Sequence, residues 1–372
     1  MIKIVLAVTN DIVTDNRLHK VANTLCQNGY EVTMVGRRFS HSVNLFSRSY
    51  ATRRFKLWFN KTILFYANYN LRLLFYLLKV PVDIIVANDL DTLPASWLAA
   101  KLRKKVLVFD SHELFTEVPE LVKRPLVKRV WALHEHLLVP GIDYGYTVSQ
   151  PIQQYYQDKY NKSFELIRNL GLFRFDQEFK QNYKETIILY QGSINVGRGL
   201  ELMVKTLPLL ENTKMWIIGQ GDILNRLKNL VVELGLEDRV IFFGRIRLDD
   251  LWKYTQKAHI GISLEEDLGL NYRYSLPNKL FDYIQSRIPV IVSDLPEMRK
   301  LVEKFQIGEI LRNRTPESLA SLVEKIKGDK SAQTVYQQKL ELAARELCWQ
   351  REEEKLIKLY RQASEEVSKN NA

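Results

Sequence analysis

Short apolar runs alternate with longer amphipathic stretches from one end of the chain to the other, a pattern that predicts parallel strands covered by helices. In the first half the apolar runs predict strands over 3–8, 31–35, 82–87, 105–109 and 144–148, with a short one over 164–167. The polar text N-L-G-L-F-R-F-D-Q-E-F-K-Q-N-Y-K-E, residues 169–185, then reads as a linker. The alternation resumes at 186 and continues to about 310, so a first domain over 1–168 and a second over 186–348 are expected. The charged final stretch places Leu347, Leu356, Ile357 and Tyr360 on one helical stripe. No internal repeat or low-complexity segment interrupts this plan.

The most informative stretch is P-N-K-L-F-D-Y-I-Q-S-R-I-P-V-I-V-S-D, residues 277–294. Pro277 fits a first helical position, with Ser275 available as a cap just before it. The free amides around Leu276, Pro277 and Asn278 and the positive end of the helix dipole favour an anion. Lys279 stands in the same first turn, where the dipole disfavours a cation, and a phosphate would reconcile the two. The apolar run 289–292 suits a covered parallel strand, with Ser293 and Asp294 at the carboxyl end, where open α/β sheets bind ligands. Taken alone, Asp282 fits a ligand contact and a helix-surface partner for Lys279 equally well.

A second signal precedes it in I-L-Y-Q-G-S-I-N-V-G-R-G-L-E-L-M, residues 188–203. A short strand runs into Gly192, which lets the backbone approach a ligand, and Arg198 brings a permanent cation to the start of a helix. The spacing fits a diphosphate cradle, and it also fits an ordinary turn with an exposed arginine. Between the two signals, M-W-I-I-G-Q-G-D and V-I-F-F-G-R-I read as strands that end in glycine at the carboxyl edge of the same sheet.

These four segments, in this order and spacing, resemble the nucleotide-sugar half of glycosyltransferase family 4, retaining enzymes of the GT-B fold with two Rossmann-like domains facing across a cleft. The resemblance implies that Arg198 and Lys279 hold the donor diphosphate with Gly192 and Ser193, and that the stretch Leu276, Pro277 and Asn278 borders it, the amides of Leu276 and Asn278 being the donors since Pro277 has no N–H. It further implies that Gly219 and Gly221 border the donor, that Arg245 flanks the base, and that Asp282 meets the ribose. Three positions depart from the family pattern: Asp282 replaces a Glu, Ser193 replaces an Arg, and Tyr274 stands where the first Glu of an E-x7-E motif is expected. Glu265, Glu266 and Asp267 are candidates to replace that missing Glu, although an exposed loop of solvated acids is the simpler reading for at least two of them. The terminal helix, 349–366, is expected to cross back to the first domain.

Two segments of the first half extend the resemblance. V-A-N-D-L-D-T-L-P-A carries Asp89 and Asp91 after a central strand, and V-F-D-S-H-E-L-F-T-E carries His112 just past another. His112 is expected near the donor sugar and diphosphate, because imidazole can donate a hydrogen bond with or without a charge. A loop histidine that caps a helix or meets Glu113 is the plainer alternative. Asp89 is expected on the acceptor side, as are Asp15 and Arg17 in T-D-N-R-L-H-K-V-A, while His19 reads as a helix-surface residue.

Composition changes this picture in three ways. At 372 residues with 46% apolar and 26% charged residues, the chain can fill two cores and is not a disordered polymer. Cys26 and Cys348 are far apart in sequence and lack ligand spacing, so no disulfide framework or zinc site is expected, and the family resemblance implies no bound metal or cofactor. The start M-I-K-I-V-L-A-V-T-N reads as a strand and not a signal peptide, and no apolar run is long enough to span a bilayer, so a cytoplasmic location is expected.

The net charge of +11 is concentrated between Arg37 and Lys79, which contain nine Lys or Arg and no Asp or Glu among Phe, Trp, Tyr and Leu. A basic aromatic helical region that lies peripherally on a membrane fits this segment better than a nucleic-acid surface, and a buried helix with basic ends fits it nearly as well. The expected activity is transfer of a sugar from a UDP or GDP sugar to a lipid-linked or surface glycan with retention of configuration. A degenerate GT-B protein that binds nucleotide or glycan as an assembly partner, and a sugar-nucleotide epimerase, are the alternatives. The base, the sugar, the acceptor, the linkage and the oligomeric state have no signature in the sequence.

Overall fold

The computed structural model describes residues 1–372 except 14, 41, 43, 44, 46, 119, 120, 122, 123, 174–184, 329 and 372. The chain divides into two compact units, Met1–Asn169 with Glu352–Ala372, and Leu170–Arg351. Most of the linker expected over 169–185 falls outside the described residues. Of its first residues, Asn169 belongs to the first unit, whereas Leu170 and Phe173 are buried in the core of the second.

The first unit is a seven-stranded sheet in the order β3-β2-β1-β4-β5-β6-β7. Its strands are β1 (Lys3–Ala7), β2 (Glu31–Arg38), β3 (Ala51–Lys56), β4 (Ile84–Asn88), β5 (Val106–Ser111), β6 (Tyr144–Thr147) and β7 (Glu165–Leu166). Every pairing is parallel. The helices are α1 (Asn16–Gln27), α2 (Thr62–Lys79), α3 (Leu93–Arg103), α4 (Pro125–Leu138) and α5 (Gln150–Tyr160). Near-continuous apolar strands require cover on both faces, and helices provide it. Tyr69, Leu73 and Leu77 of α2 pack with Ile85 and Leu107 of the sheet in one core.

The second unit is a six-stranded parallel sheet in the order β10-β9-β8-β11-β12-β13. Its strands are β8 (Thr186–Gln191), β9 (Thr213–Ile218), β10 (Val240–Gly244), β11 (Ile260–Ser263), β12 (Val290–Ser293) and β13 (Gly308–Leu311). Around them lie α6 (Leu200–Thr206), α7 (Leu224–Glu233), α8 (Leu248–Thr255), α9 (Leu270–Arg273), α10 (Asn278–Gln285), α11 (Pro296–Phe305), α12 (Pro316–Lys327) and α13 (Lys330–Glu346). The last helix, α14 (Trp349–Asn371), counts with the first unit from Glu352 onward. There Glu352 accepts the Arg168 amide at 3.0 Å, and Tyr360 is fully buried with its ring against Tyr30. In each sheet the chain reverses its direction of growth beside the first strand, at β1/β4 and β8/β11, which is where parallel α/β sheets open a crevice for ligands.

Three local expectations are corrected. Residues 51–56, assigned to a basic helical region, form the edge strand β3, where Thr52 and Phe55 suit a strand and an outermost position tolerates the charges of Arg53 and Lys56. β5 continues to Ser111, past the expected end at 109, because Asp110 and Ser111 are buried with polar partners and keep their ladder pairs to Asn88 and Thr147. α10 starts at Asn278 with Pro277 as an extended N-cap residue, and Ser275 donates to the Tyr272 carbonyl at 2.9 Å instead of capping.

Gly308 lies in tight contact with the neighbouring strand, because a Cβ there would lie 1.9 Å from the Val290 carbonyl oxygen. Gly308→Ala should therefore part β13 from β12 and cost at least about 1 kcal/mol. Thermal unfolding followed by circular dichroism checks this, and an unchanged midpoint would show that the edge yields without loss.

Candidate active site

In the second unit, site residues gather at the carboxyl ends of the two central strands. The chain leaves β8 at Gln191 and turns through Gly192, whose φ of +136° is a conformation that side chains resist. Gly219, at the end of β9, packs so closely that a Cβ would sit 1.8 Å from the Gly192 oxygen, and Gly221 would meet Ile194 at 2.2 Å. These contacts explain why both positions are glycine. Ser193 contributes its carbonyl, which accepts the Tyr190 hydroxyl at 2.6 Å and steadies the loop.

Around this loop lies a charged cluster. Glu265, two residues past β11, is fully buried. Its Oε1 accepts from Lys279 Nζ at 2.8 Å and faces Arg198 Nη1 at 3.4 Å, and its Oε2 accepts the Ser263 hydroxyl at 2.7 Å. Lys279, in the first turn of α10, is itself buried and lies 4.0 Å from the Tyr190 ring centroid. Burial works against ionisation of Glu265, but Lys279, Ser263 and Arg198 outweigh it and hold its carboxyl below the usual range. Burial pulls the Lys279 ammonium down, with Glu265 opposing. When all three are ionised the cluster carries one surplus positive charge, and the Arg198 Nε is buried without a hydrogen-bond acceptor. A ligand anion satisfies both conditions.

Glu265 thus stands apart from its neighbours in the acidic loop. Asp267 is exposed and paired with Arg273 at 2.7 Å, and Glu266 lies 3.6 Å from Arg314. Sequence reasoning passed over Arg314 altogether. Its guanidinium donates to the Leu264 carbonyl at 3.0 Å and to the Ser293 hydroxyl at 2.8 Å, and so ties the turn that delivers Glu265 to the end of β12. No sequence signal marks it, because the residue follows β13 and reaches the turn only through the fold.

The structure also revises Asp282. It does not pair with Lys279; its Oδ2 accepts Gln191 Nε2 at 2.8 Å, and the Gln191 Oε1 in turn accepts the Thr255 hydroxyl at 2.8 Å. A relay from β8 therefore aims the Asp282 carboxylate. Leu276, Pro277 and Asn278 lead into α10, whose first amides are not used by the helix. Arg245 is exposed and, with Gln220, Gly221, Asp222, Leu224 and Asn225, lines an open hollow of about 440 Å³ beside the end of β9.

The remaining candidates belong to the first unit. Asp89 follows β4 with φ +62°, and its Oδ1 accepts the His112 amide at 2.8 Å. The His112 ring lies between two carboxylates, with Nδ1 3.2 Å from Asp89 and Nε2 2.9 Å from Asp110, the latter at ion-pair distance but poorly angled for a hydrogen bond. Burial lowers the imidazole pKa, but Asp110 and Asp89 outweigh it and raise it well above 6.5. Burial likewise opposes the charge on Asp110, while Arg17 and His112 bring its pKa down to about 2. Both His112 ring nitrogens therefore face protein carboxylates, an arrangement that favours the protonated ring.

Two of the acceptor-side candidates have partners within the first unit. Asp15 caps α1 by accepting the Leu18 amide at 3.0 Å. Arg17 is buried and grips Asp110 through two nitrogens at 2.8 and 3.1 Å, with a third bond to the Ile167 carbonyl at 3.1 Å. It supports His112 through Asp110. Asp91 is also buried, accepts the Thr9 hydroxyl at 2.5 Å, and is pushed up to about 7 by burial and by Asp89.

Two parallel α/β units, one with an anion-seeking cluster at its crevice, fit the GT-B fold of glycosyltransferases. The family model described as Glycosyltransferase Family 4 matches residues 15–169, and that described as Glycosyl transferases group 1 matches 173–346. Between them they take in most of both units, and the chain belongs to the family 4 type of glycosyltransferase. An uncharacterized glycosyltransferase of Methanocaldococcus jannaschii is 26% identical over 150 residues, which are 39% of this chain and 36% of that relative's length. Among solved structures, sucrose-phosphate synthase from Thermosynechococcus elongatus superposes with a TM-score of 0.78 at 17% identity, covering 97% of this chain and 99% of that one. HepE of Anabaena in complex with UDP and glucose gives 0.73 at 13% identity, covering 99% and 100%. At such identities the likeness speaks for the fold.

Because the folded pKa of His112 is raised, its ion pairs contribute stability fully below the ordinary value of 6.5 and lose that contribution as pH rises through the raised value. Asp89→Asn should lower the His112 pKa in an NMR titration, and an unmoved pKa would leave Asp110 as the sole cause. Arg314→Gln should accelerate amide exchange over residues 263–266 while leaving that of β12 unchanged. Equal exchange in both proteins would show that the turn holds itself.

Proposed function

We propose that the protein transfers a sugar from a UDP- or GDP-linked donor to an acceptor hydroxyl with retention of configuration, the acceptor being a lipid-linked or surface glycan. The cluster of Arg198, Lys279 and Glu265 beside Gly192 carries this reading, because it pairs two cations with one carboxylate where backbone approach is closest. Departure of the nucleoside diphosphate builds negative charge, which Arg198, Lys279 and the amides leading into α10 stabilise. The bond between the anomeric carbon and the phosphate oxygen breaks, and the acceptor oxygen attacks the oxocarbenium-like sugar on the same face. The departing phosphate oxygen takes the acceptor proton, so no protein nucleophile is required. Asp282 is assigned to the ribose hydroxyls, Arg245 to the base side, and Gly219, Gly221 and Ser193 to the close approach of backbone. His112, held between Asp89 and Asp110, is assigned to the sugar side within the first unit. The donor's charge is met by side chains and amides, with no metal or cofactor assigned. The complexes of Anabaena HepE with UDP and glucose and with UDP-glucose favour a nucleoside diphosphate sugar as donor. Among the described residues no helix is long and apolar enough to cross a membrane, which is compatible with peripheral contact with the inner membrane face from the cytoplasm.

Arg198→Ala should weaken nucleoside diphosphate binding by about 1.5–3 kcal/mol and slow donor turnover, since a charge-assisted contact is lost. Asp282→Asn should weaken nucleoside diphosphate more than inorganic diphosphate. Calorimetry with both ligands and release of UDP or GDP from a panel of sugars check this. Undiminished binding by the Arg198 variant would remove the cradle. Tight binding of every donor without turnover would favour an assembly partner, and a changed sugar would favour an epimerase.

A further inference from the structure

Right-handed crossovers from β3 to β4, β4 to β5 and β5 to β6 set α2, α3 and α4 in one layer on the same side of the first sheet, α2 packed on α3 and α3 on α4. Their inward faces fill the core, through Tyr69, Leu73 and Leu77 of α2, Ala95 and Ala99 of α3, and Trp131 of α4. Their outward faces are apolar as well. On α2, Ile63, Leu64, Leu71, Phe75 and Leu78 are all exposed, with Ile63 at 71%. On α4, Leu126, Val130, Leu133 and Leu137 form one exposed stripe at the spacing i, i+4, i+7, i+11, with Leu126 at 73%. A stripe of that spacing ordinarily faces a core, but here Trp131 and Glu135 already occupy the inward side. Leu98 and Leu102 of α3 continue the exposed surface between the two helices. An apolar patch built on three adjacent helices calls for a cover.

Charge says what that cover is. The three helices carry Arg72, Lys79, Lys101, Arg103, Lys128 and Arg129. Their one acid, Glu135, is fully buried and bonded to Tyr155, Tyr160 and Lys159. Lys128 is matched by Glu117 from the preceding loop, and the other basic groups have no acid on these helices to meet. A second copy of the same face would bring like charges together, which is disfavoured. An anionic bilayer surface meets both requirements, since apolar side chains enter the acyl boundary while Lys and Arg meet lipid phosphates. At the start of α2, Trp58 is 77% exposed beside Phe59, with Arg72 4.5 Å from its ring, an aromatic and basic pair suited to the headgroup level.

We propose that the outer face of α2, α3 and α4 seats the protein on an anionic lipid bilayer. The surface differs from the basic segment 37–79: β3 is a sheet strand, Arg54 lies 3.5 Å from Asp11, and half of the face comes from α3 and α4. The proposal rests on the lipid-linked-acceptor reading only for its purpose, since docking is measured without donor or acceptor.

The test is cosedimentation of the full chain with vesicles of phosphatidylcholine alone or mixed with phosphatidylglycerol, at low and high salt. Wild type should pellet with the anionic vesicles at low salt and be released by salt. Leu133→Glu with Leu137→Glu, and separately Leu71→Glu with Phe75→Glu, should each lower binding at least tenfold, while nucleotide-induced thermal shifts stay at the wild-type value. Lys101→Ser and Arg129→Ser should each lower it about fivefold. Wild type that stays in the supernatant with anionic vesicles, or charged variants that bind equally well, would overturn the proposal. So would a wild-type dimer in sedimentation velocity that the α4 variant dissolves, because the occupant would then be a second copy. Vesicle binding with no donor turnover would count against the transferase reading alone, and turnover without vesicle binding against docking alone.

Discussion

A carboxylate cut off from water must be matched by cations or give up its charge, and each unit places one such group at the carboxyl end of its central strands. In the first it is Asp110, held by Arg17 and His112. In the second it is Glu265, held by Lys279 and Arg198. Neither carboxylate reaches solvent. Each therefore dictates where its cations stand.

The two solutions differ in what they leave over. Asp110 takes both its oxygens' worth of bonds from Arg17, so that His112 is added as a charge stacked against an already satisfied acid. The ring is set between Asp110 and Asp89, the latter from the neighbouring strand end. Glu265 instead shares one oxygen between two cations and gives the other to a serine. That arrangement leaves one positive charge unmatched beside the β8 loop. Glycines at 192, 219 and 221 let the strand ends lie in close contact, where a Cβ would collide with neighbouring backbone.

The first unit manages its surface in an opposite way. Its parallel sheet demands a covering layer of helices, and α2 and α4 meet that demand with one face while keeping a second apolar face turned outward. A helix that is apolar on both sides is stable in such a position only with cover on both, and the absence of exposed acids on these helices selects an anionic one. Charge and apolarity that look contradictory along the chain become two parts of one surface in the layer.

How much of this was legible in the chain depends on the range of the interaction. Alternating apolar runs specified two parallel sheets, and glycines at strand ends with Arg198, Lys279 and Asp282 marked the crevice of the second, because strand period, helix starts and phosphate cradles are local signals. The edge strand 51–56 was missed because its charges mask a short alternation that only pairing with β2 reveals. The acid loop showed three carboxylates in a row or nearly so, and only the packing of Ser263, Lys279 and Arg198 around it singles out Glu265. Arg17 and Asp110, 93 positions apart, could be joined only by the fold. Arg314 reaches the 263–266 turn across about fifty positions for the same reason. Sequence by itself determined the architecture and the residue types of the site, since these follow from local periodicity. The tertiary structure decided which charges are buried together, because burial and pairing depend on neighbours that the chain brings from far away.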